Sequence, residues 1–173
     1  KTIIFPKNEE PYTYNTSTYL GMILSITKED PQKILKFLKT LKIPSLKKYK
    51  AYTILVPEKF DGVREFYETK FDELFGPKII GKSFTFEEEK HAKTVVKSSK
   101  ELFVGLGVPN KVFGKNHLNY PLPKWANHGL MFCLGYYIIG KIQAENPPWF
   151  KRSIKTYVKE ASRLFKEKIK IQS

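Results

Sequence analysis

The sequence predicts a mainly α fold, with about five helices around one core, at most one or two short strands, and an extended N-terminal arm. Three observations predict it. Five stretches space their apolar residues at helical intervals between capping and breaking residues. A single run, Tyr52 to Val56 (YTILV), has the β-branched and aromatic content of a strand, and Pro57 ends it. Finally, 173 residues that are 41% hydrophobic suffice for one core and are cramped for two. The expected organisation is an arm over residues 1–15 and one helical domain over 16–173.

Residues 1–15 (KTIIFPKNEEPYTYN) contain two prolines and no sustained hydrophobic period, which suits an arm lying on a neighbour. Asp30-Pro31 supplies an N-cap and a first-turn proline for a helix to Ile43, stopped by Pro44, with Ile34, Leu35, Phe37, Leu38 and Leu41 as its core face. Asp61 caps a helix that runs to Phe75 and breaks at Gly76-Pro77. Thr85 and Glu88 form a capping box before a helix ending near Phe103, whose buried side is Ala92, Val95, Val96, Leu102 and Phe103. Pro109 to Pro123 reads as a polar, proline-bounded loop, long enough to be functional or an assembly contact. An apolar helix from Trp125 to about Gln143 follows. Asn146-Pro147 opens the last helix, with Phe150, Ile154, Tyr157, Ala161 and Leu164 inward.

Charge is the strongest functional signal. The net charge of +14 lies far outside what folding requires and points to nucleic acid, an anionic membrane surface or acidic protein. Arginine occurs only at Arg64, Arg152 and Arg163, so the pattern favours diffuse phosphate neutralisation over bidentate reading of bases. On the last helix Arg152, Lys155, Lys159, Arg163, Lys166 and Lys170 form one stripe opposite the apolar side, and Glu160 and Glu167 flank it. Lys90, Lys93, Lys97 and Lys100 form a second stripe on the helix from Thr85. Tyr49 stands among Lys47, Lys48 and Lys50 in LKKYK, where its ring is a candidate platform for a base. These residues are the expected nucleic-acid contacts. From Glu58 to Glu101 acids and bases nearly balance, whereas Leu102 to Ala144 holds no acid.

No catalytic or cofactor motif appears. There is no G-x-S-x-G, P-loop or dinucleotide fingerprint, and the only cysteine, Cys133, excludes an intrachain disulfide and a four-cysteine zinc site. His91, His117 and His128 are too scattered to suggest a metal, and Glu87 with His91 reads as a helix-stabilising pair. The expectation is no metal and no cofactor. Cysteine usage suits an intracellular, reducing compartment, the mitochondrion included. The apolar run 126–140 is shorter than the roughly 20 residues of a membrane span, so it reads as a buried helix, with membrane contact as a second option. The chain begins at Lys1 without an initiator methionine, so an upstream segment is expected.

The stretch NPPWFKRSIKTYV, preceded by an apolar helix, resembles the segment after the zinc-binding helix of gluzincin-type metallopeptidases, where a proline-tryptophan-phenylalanine turn leads to a helix carrying a glutamate ligand. Arg152 occupies that glutamate position, and the preceding helix reads NHGLMFC without H-E-x-x-H. The resemblance therefore implies a site that has lost its ligands. The leading functional expectation is a non-catalytic, basic subunit of a large ribonucleoprotein such as an organellar ribosome, touching RNA and neighbouring subunits. The alternatives are an accessory subunit of a mitochondrial-type membrane complex and an enzyme with an unrecognised site, including an inactive metallopeptidase-like domain.

Overall fold

The computed structural model describes residues 16–92 and 95–169, so the expected arm over 1–15 lies outside the described residues. The fold is α/β, which overturns the mainly α expectation. At its centre is a four-stranded, fully parallel sheet in the order β2-β1-β3-β4, formed by β1 (Ala51–Val56), β2 (Ile80–Thr85), β3 (Glu101–Leu106) and β4 (Asn116–Tyr120). Six α-helices occur among the described residues: α1 (Thr16–Thr27), α2 (Pro31–Thr40), α3 (Arg64–Phe75), α4 (Phe86–Ala92), α5 (His128–Ala144) and α6 (Trp149–Phe165).

Local chemistry explains the elements that were anticipated. The Asp30 carboxylate accepts the Gln32 amide at 2.8 Å to start α2, and Asn127 caps α5 through the amide of His128. The Thr85/Glu88 capping box forms as expected: Thr85 N–H donates to Glu88 at 2.9 Å and Glu88 N–H donates back at 3.3 Å. The helix it opens is short, however, and does not reach Phe103. After α4 the chain is non-helical from Val95, and Ser98 Oγ accepts the Lys100 amide at 3.1 Å in a turn that leads into β3. Leu102 and Phe103 are therefore strand residues, while Val95 and Val96 are 88% and 86% exposed. Serines that bond their own backbone and paired β-branched valines disfavour helix here, and burial on both sides of β3 favours strand.

The two sides of the sheet are unequal. Tyr52, Ile54 and Val56 of β1, with Leu102, Val104 and Leu106 of β3, join α2, α3 and α5 in the main core. Their neighbours Leu55 and Phe103 face a smaller cluster with Phe113, covered by Phe84, Phe86 and Val108. α5 lies in the main layer, and Gly135 sits so close to Tyr67 that a Cβ there would fall 2.1 Å from the ring. The Tyr67 hydroxyl donates to the Met131 carbonyl, and burial drives its pKa far above the ordinary phenol value. The apolarity of 126–140 is thus explained by packing within this chain, and no described helix is long and apolar enough to cross a membrane.

β3 and β4 are joined without a helix, through a connection that sequence reasoning took for an open polar loop. Asn110, fully buried, organises it. Its side-chain oxygen accepts the amides of Val112 and Phe113, its Nδ2 donates to the Phe113 carbonyl at 3.0 Å, and its backbone exchanges two hydrogen bonds with the Asn119 side chain at 2.9 and 3.0 Å. Gly114, at φ 78°, turns the chain over the Phe103 ring, where a Cβ would come within 2.2 Å.

The last helix buries a different set from the one expected. Ala161 is buried and Phe150, Ile154 and Val158 are half-buried, but Tyr157 is 57% and Leu164 74% exposed. On α2, Leu35 is likewise exposed while Ile34 and Leu38 are buried.

Candidate nucleic-acid interface

In open α/β sheets, ligands bind at the carboxyl ends of the strands where the strand order reverses. That point lies between β1 and β3, and here it is filled. A Cβ at Gly107 would lie 2.4 Å from Leu122 and 3.4 Å from Pro57, so the crevice holds the chain's own side chains. Two helix N-termini at this end, those of α5 and α4, are also occupied. The Glu29 carboxylate accepts the amides of Asn127, Gly129 and Leu130 at 2.9, 2.6 and 3.0 Å, and Glu58 accepts that of Glu87 at 3.0 Å. A phosphate arriving there would meet carboxylates.

The opposite end differs. A parallel sheet places every strand start on one edge, so residues far apart in sequence become neighbours. The Lys50 and Ala51 amides both donate to the Lys100 carbonyl, at 2.9 and 3.3 Å, and the Ile80 amide donates to the Lys50 carbonyl at 3.0 Å. Lys47, Lys48 and Lys50 precede β1, Lys78 precedes β2, Lys97 and Lys100 precede β3, and Lys115 precedes β4; all are exposed. Nearby acids are engaged elsewhere: Glu101 turns inward to accept the Thr53 hydroxyl at 2.8 Å, and Glu145 accepts the Leu46 amide at 2.6 Å. Among the described residues none of these lysines forms an ion pair, and Lys97 Nζ reaches the Val112 carbonyl at 3.2 Å.

The expected contact residues thus sort into four groups. Lys47, Lys48, Lys50, Lys97 and Lys100 come to one edge, joined by Lys78 and Lys115, which sequence reasoning missed because their place depends on unrecognised strands. Lys90 stands apart on α4, bound to Glu87 at 2.6 Å, and Lys93 lies outside the described residues, so the second stripe does not exist as a helical face. Tyr49 is 7% exposed, edge-on to Tyr52 at 6.2 Å with Lys48 Nζ 5.0 Å from its ring, which removes it as a platform for a base.

On α6, Arg152, Lys155, Lys159 and Arg163 are exposed, and none has an ion pair among the described residues. Lys166 is past the helix, in the left-handed conformation at φ 54°, and Lys170 is outside the described residues. The first turn of α6 carries Lys151 and Arg152 and no acid, the reverse of what the helix dipole favours.

Two further features bear on chemistry. A pocket of ≈ 220 Å³ lies between α1, α3 and α5, lined by Tyr19, Phe66, Tyr136, Glu65, Thr69 and Lys70. It is below the roughly 300 Å³ at which ligand sites begin, and its buried Lys70 is already paired with Glu73 at 2.5 Å. Among the described residues no group of three or more His, Cys, Asp or Glu side chains is placed to hold a metal ion. His128 packs edge-on against Phe60 at 5.2 Å, and Arg152 is a surface residue of α6. Comparison with known protein families and with curated proteins finds no match to this chain.

Proposed function

We propose that the chain is a non-catalytic, basic subunit of a large ribonucleoprotein, organellar ribosome-like, that contacts RNA phosphates through the amino edge of its sheet and the basic face of α6. The observation that carries this reading is the gathering of Lys47, Lys48, Lys50, Lys78, Lys100 and Lys115 on one edge with no ion pair among the described residues. Each lysine that neutralises a phosphate releases a counterion, and this is favourable whatever the base sequence. The cations in the first turn of α6 support it too, because they oppose helix stability and so answer to something outside the helix. A mitochondrial setting belongs to this proposal.

The test is RNA binding measured against salt for the parent and two variants. Lys47, Lys48, Lys50 and Lys100 become glutamine in one, and Arg152, Lys155, Lys159 and Arg163 in the other. Each variant should lose affinity equally for unrelated RNA sequences, and its salt dependence should flatten by about 0.7 to 0.9 logarithmic units per lost contact, with circular dichroism unchanged. Unchanged affinity and slope in both variants would overturn the reading.

A further inference from the structure

The outer edges of the sheet are finished in different ways. On β2, among the described residues, side chains cover the outward groups of Ser83 and the Thr85 amide, though not those of Gly81: Ser83 N–H donates to Glu68 at 2.7 Å, the Ser83 carbonyl accepts from Arg64 at 3.2 Å, and Thr85 N–H donates to Glu88. On β4 the outward groups are not covered. The Tyr120 carbonyl accepts the Gly107 amide at 2.8 Å, so Asn116, Leu118 and Tyr120 turn their backbone towards β3, and His117 and Asn119 turn theirs outward. Among the described residues those two N–H groups and two carbonyls have no hydrogen-bond partner. Exposed edges of this kind are templates for another strand, and proteins usually blunt them.

We propose that the outer edge of β4 accepts an added strand from an extended, acidic segment of a partner protein. The inference is independent of the RNA reading. Main-chain pairing supplies attraction through the groups of His117 and Asn119, and Pro121, lacking an N–H, marks where pairing stops. Charge selects the occupant. Lys115 precedes the strand, Lys124 follows it, Lys111 lies in the adjoining loop, all are exposed, and no Asp or Glu occurs from Leu102 to Ala144. A second copy would bring the same lysines face to face, whereas a strand with carboxylates at its ends meets complementary charge at both. The Asn110–Asn119 network holds the strand in place before any partner arrives, so the edge itself needs no ordering.

The probe is a labelled peptide of alternating valine and threonine with glutamates at both ends, compared with a lysine-ended counterpart and with an N-methylated copy that cannot donate. Fluorescence anisotropy should show the glutamate-ended peptide binding about tenfold or more tightly than the other two, and amide exchange at His117 and Asn119 should slow on binding. His117→Pro removes an outward donor while leaving the ladder to β3 intact, and should weaken binding about tenfold or more. If that variant fails to fold, the N-methylated peptide and the exchange data still decide. Equal binding of all three peptides, unchanged exchange at His117 and Asn119, or sedimentation showing a dimer that His117→Pro abolishes would each overturn the proposal.

Discussion

The two ends of the sheet treat charge in opposite ways. At the carboxyl end the chain neutralises itself: Glu29 holds three amides at the start of α5, Glu58 holds one on α4, and Leu122 and Pro57 fill the crevice between β1 and β3. At the amino end exposed lysines from four separate stretches stand side by side, while Glu101 and Glu145 are spent on Thr53 and Leu46. Acids are therefore structural at both ends, and the exposed cations of the amino end form no ion pair among the described residues. A chain that uses its carboxylates as caps and leaves the lysines of one edge without carboxylate partners carries its interaction potential away from the place where α/β sheets usually hold ligands.

The sharpest way to break this comparison is to remove a carboxylate that is said to be structural. Glu29→Ala leaves the amides of Asn127, Gly129 and Leu130 without their acceptor at the start of the central helix. Bonds to a charged acceptor contribute about 1.5 to 3 kcal/mol each and are not additive when they share one carboxylate, so the expected loss is about 3 kcal/mol. For a chain of this size that lowers the melting midpoint by about 6 to 12 °C. A midpoint within about 2 °C of the parent would mean that water replaces Glu29 without cost.

The converse change should do the opposite, by less. Lys50→Glu with Lys100→Glu places two carboxylates among the free lysines of the amino edge, where exposed pairs are worth about 0.2 to 1 kcal/mol. Stability should rise by about 0.5 kcal/mol at low salt, and the gain should vanish at high salt as the charges are screened. A loss of stability that persists at high salt would show that Lys50 or Lys100 is committed within the fold, and the two ends would no longer differ.

What was legible in the sequence is the local chemistry. The Asp30 cap, the Thr85/Glu88 box, YTILV and the buried helix after Asn127 each rest on side chains acting on their own neighbourhood, and each is found close to where it was expected. The missed elements depend on partners distant in sequence. β3 (ELFVGL) is buried on both sides and has no alternation to betray it, and it adjoined a run of lysines at helical spacing. β4 (NHLNY) is polar because it is an edge strand, and α1 (TSTYLGMILSIT) is uncharged throughout, so neither shows a clean period. The stripe of α6 was legible as far as Arg163 because a helix needs only its own sequence, whereas its turn at Lys166 was not. The lysine edge could not be read at all without strand order: Lys50 and Lys100 become neighbours only because β1 and β3 pair in parallel.

The smallest effect tests whether Glu29 still acts as a charge while it serves as a cap. Burial, with a smaller push from the Glu29 carboxylate, raises the Cys133 thiol to about 11. Because the folded value lies above the unfolded one, the protonated thiol favours the native state. That contribution is fully present below about pH 9 and fades as pH rises through about 11. Glu29→Gln keeps the size of the side chain and removes its charge, so the thiolate fraction at pH 9 should rise and native-state alkylation of Cys133 should quicken by about twofold. Denatured parent and variant should react alike, which separates the electrostatic effect from a change in the reagent. An unaltered native rate would mean that the helix dipole and the three amides already cancel the carboxylate's field, and that the carboxyl end of the sheet is neutral rather than merely capped.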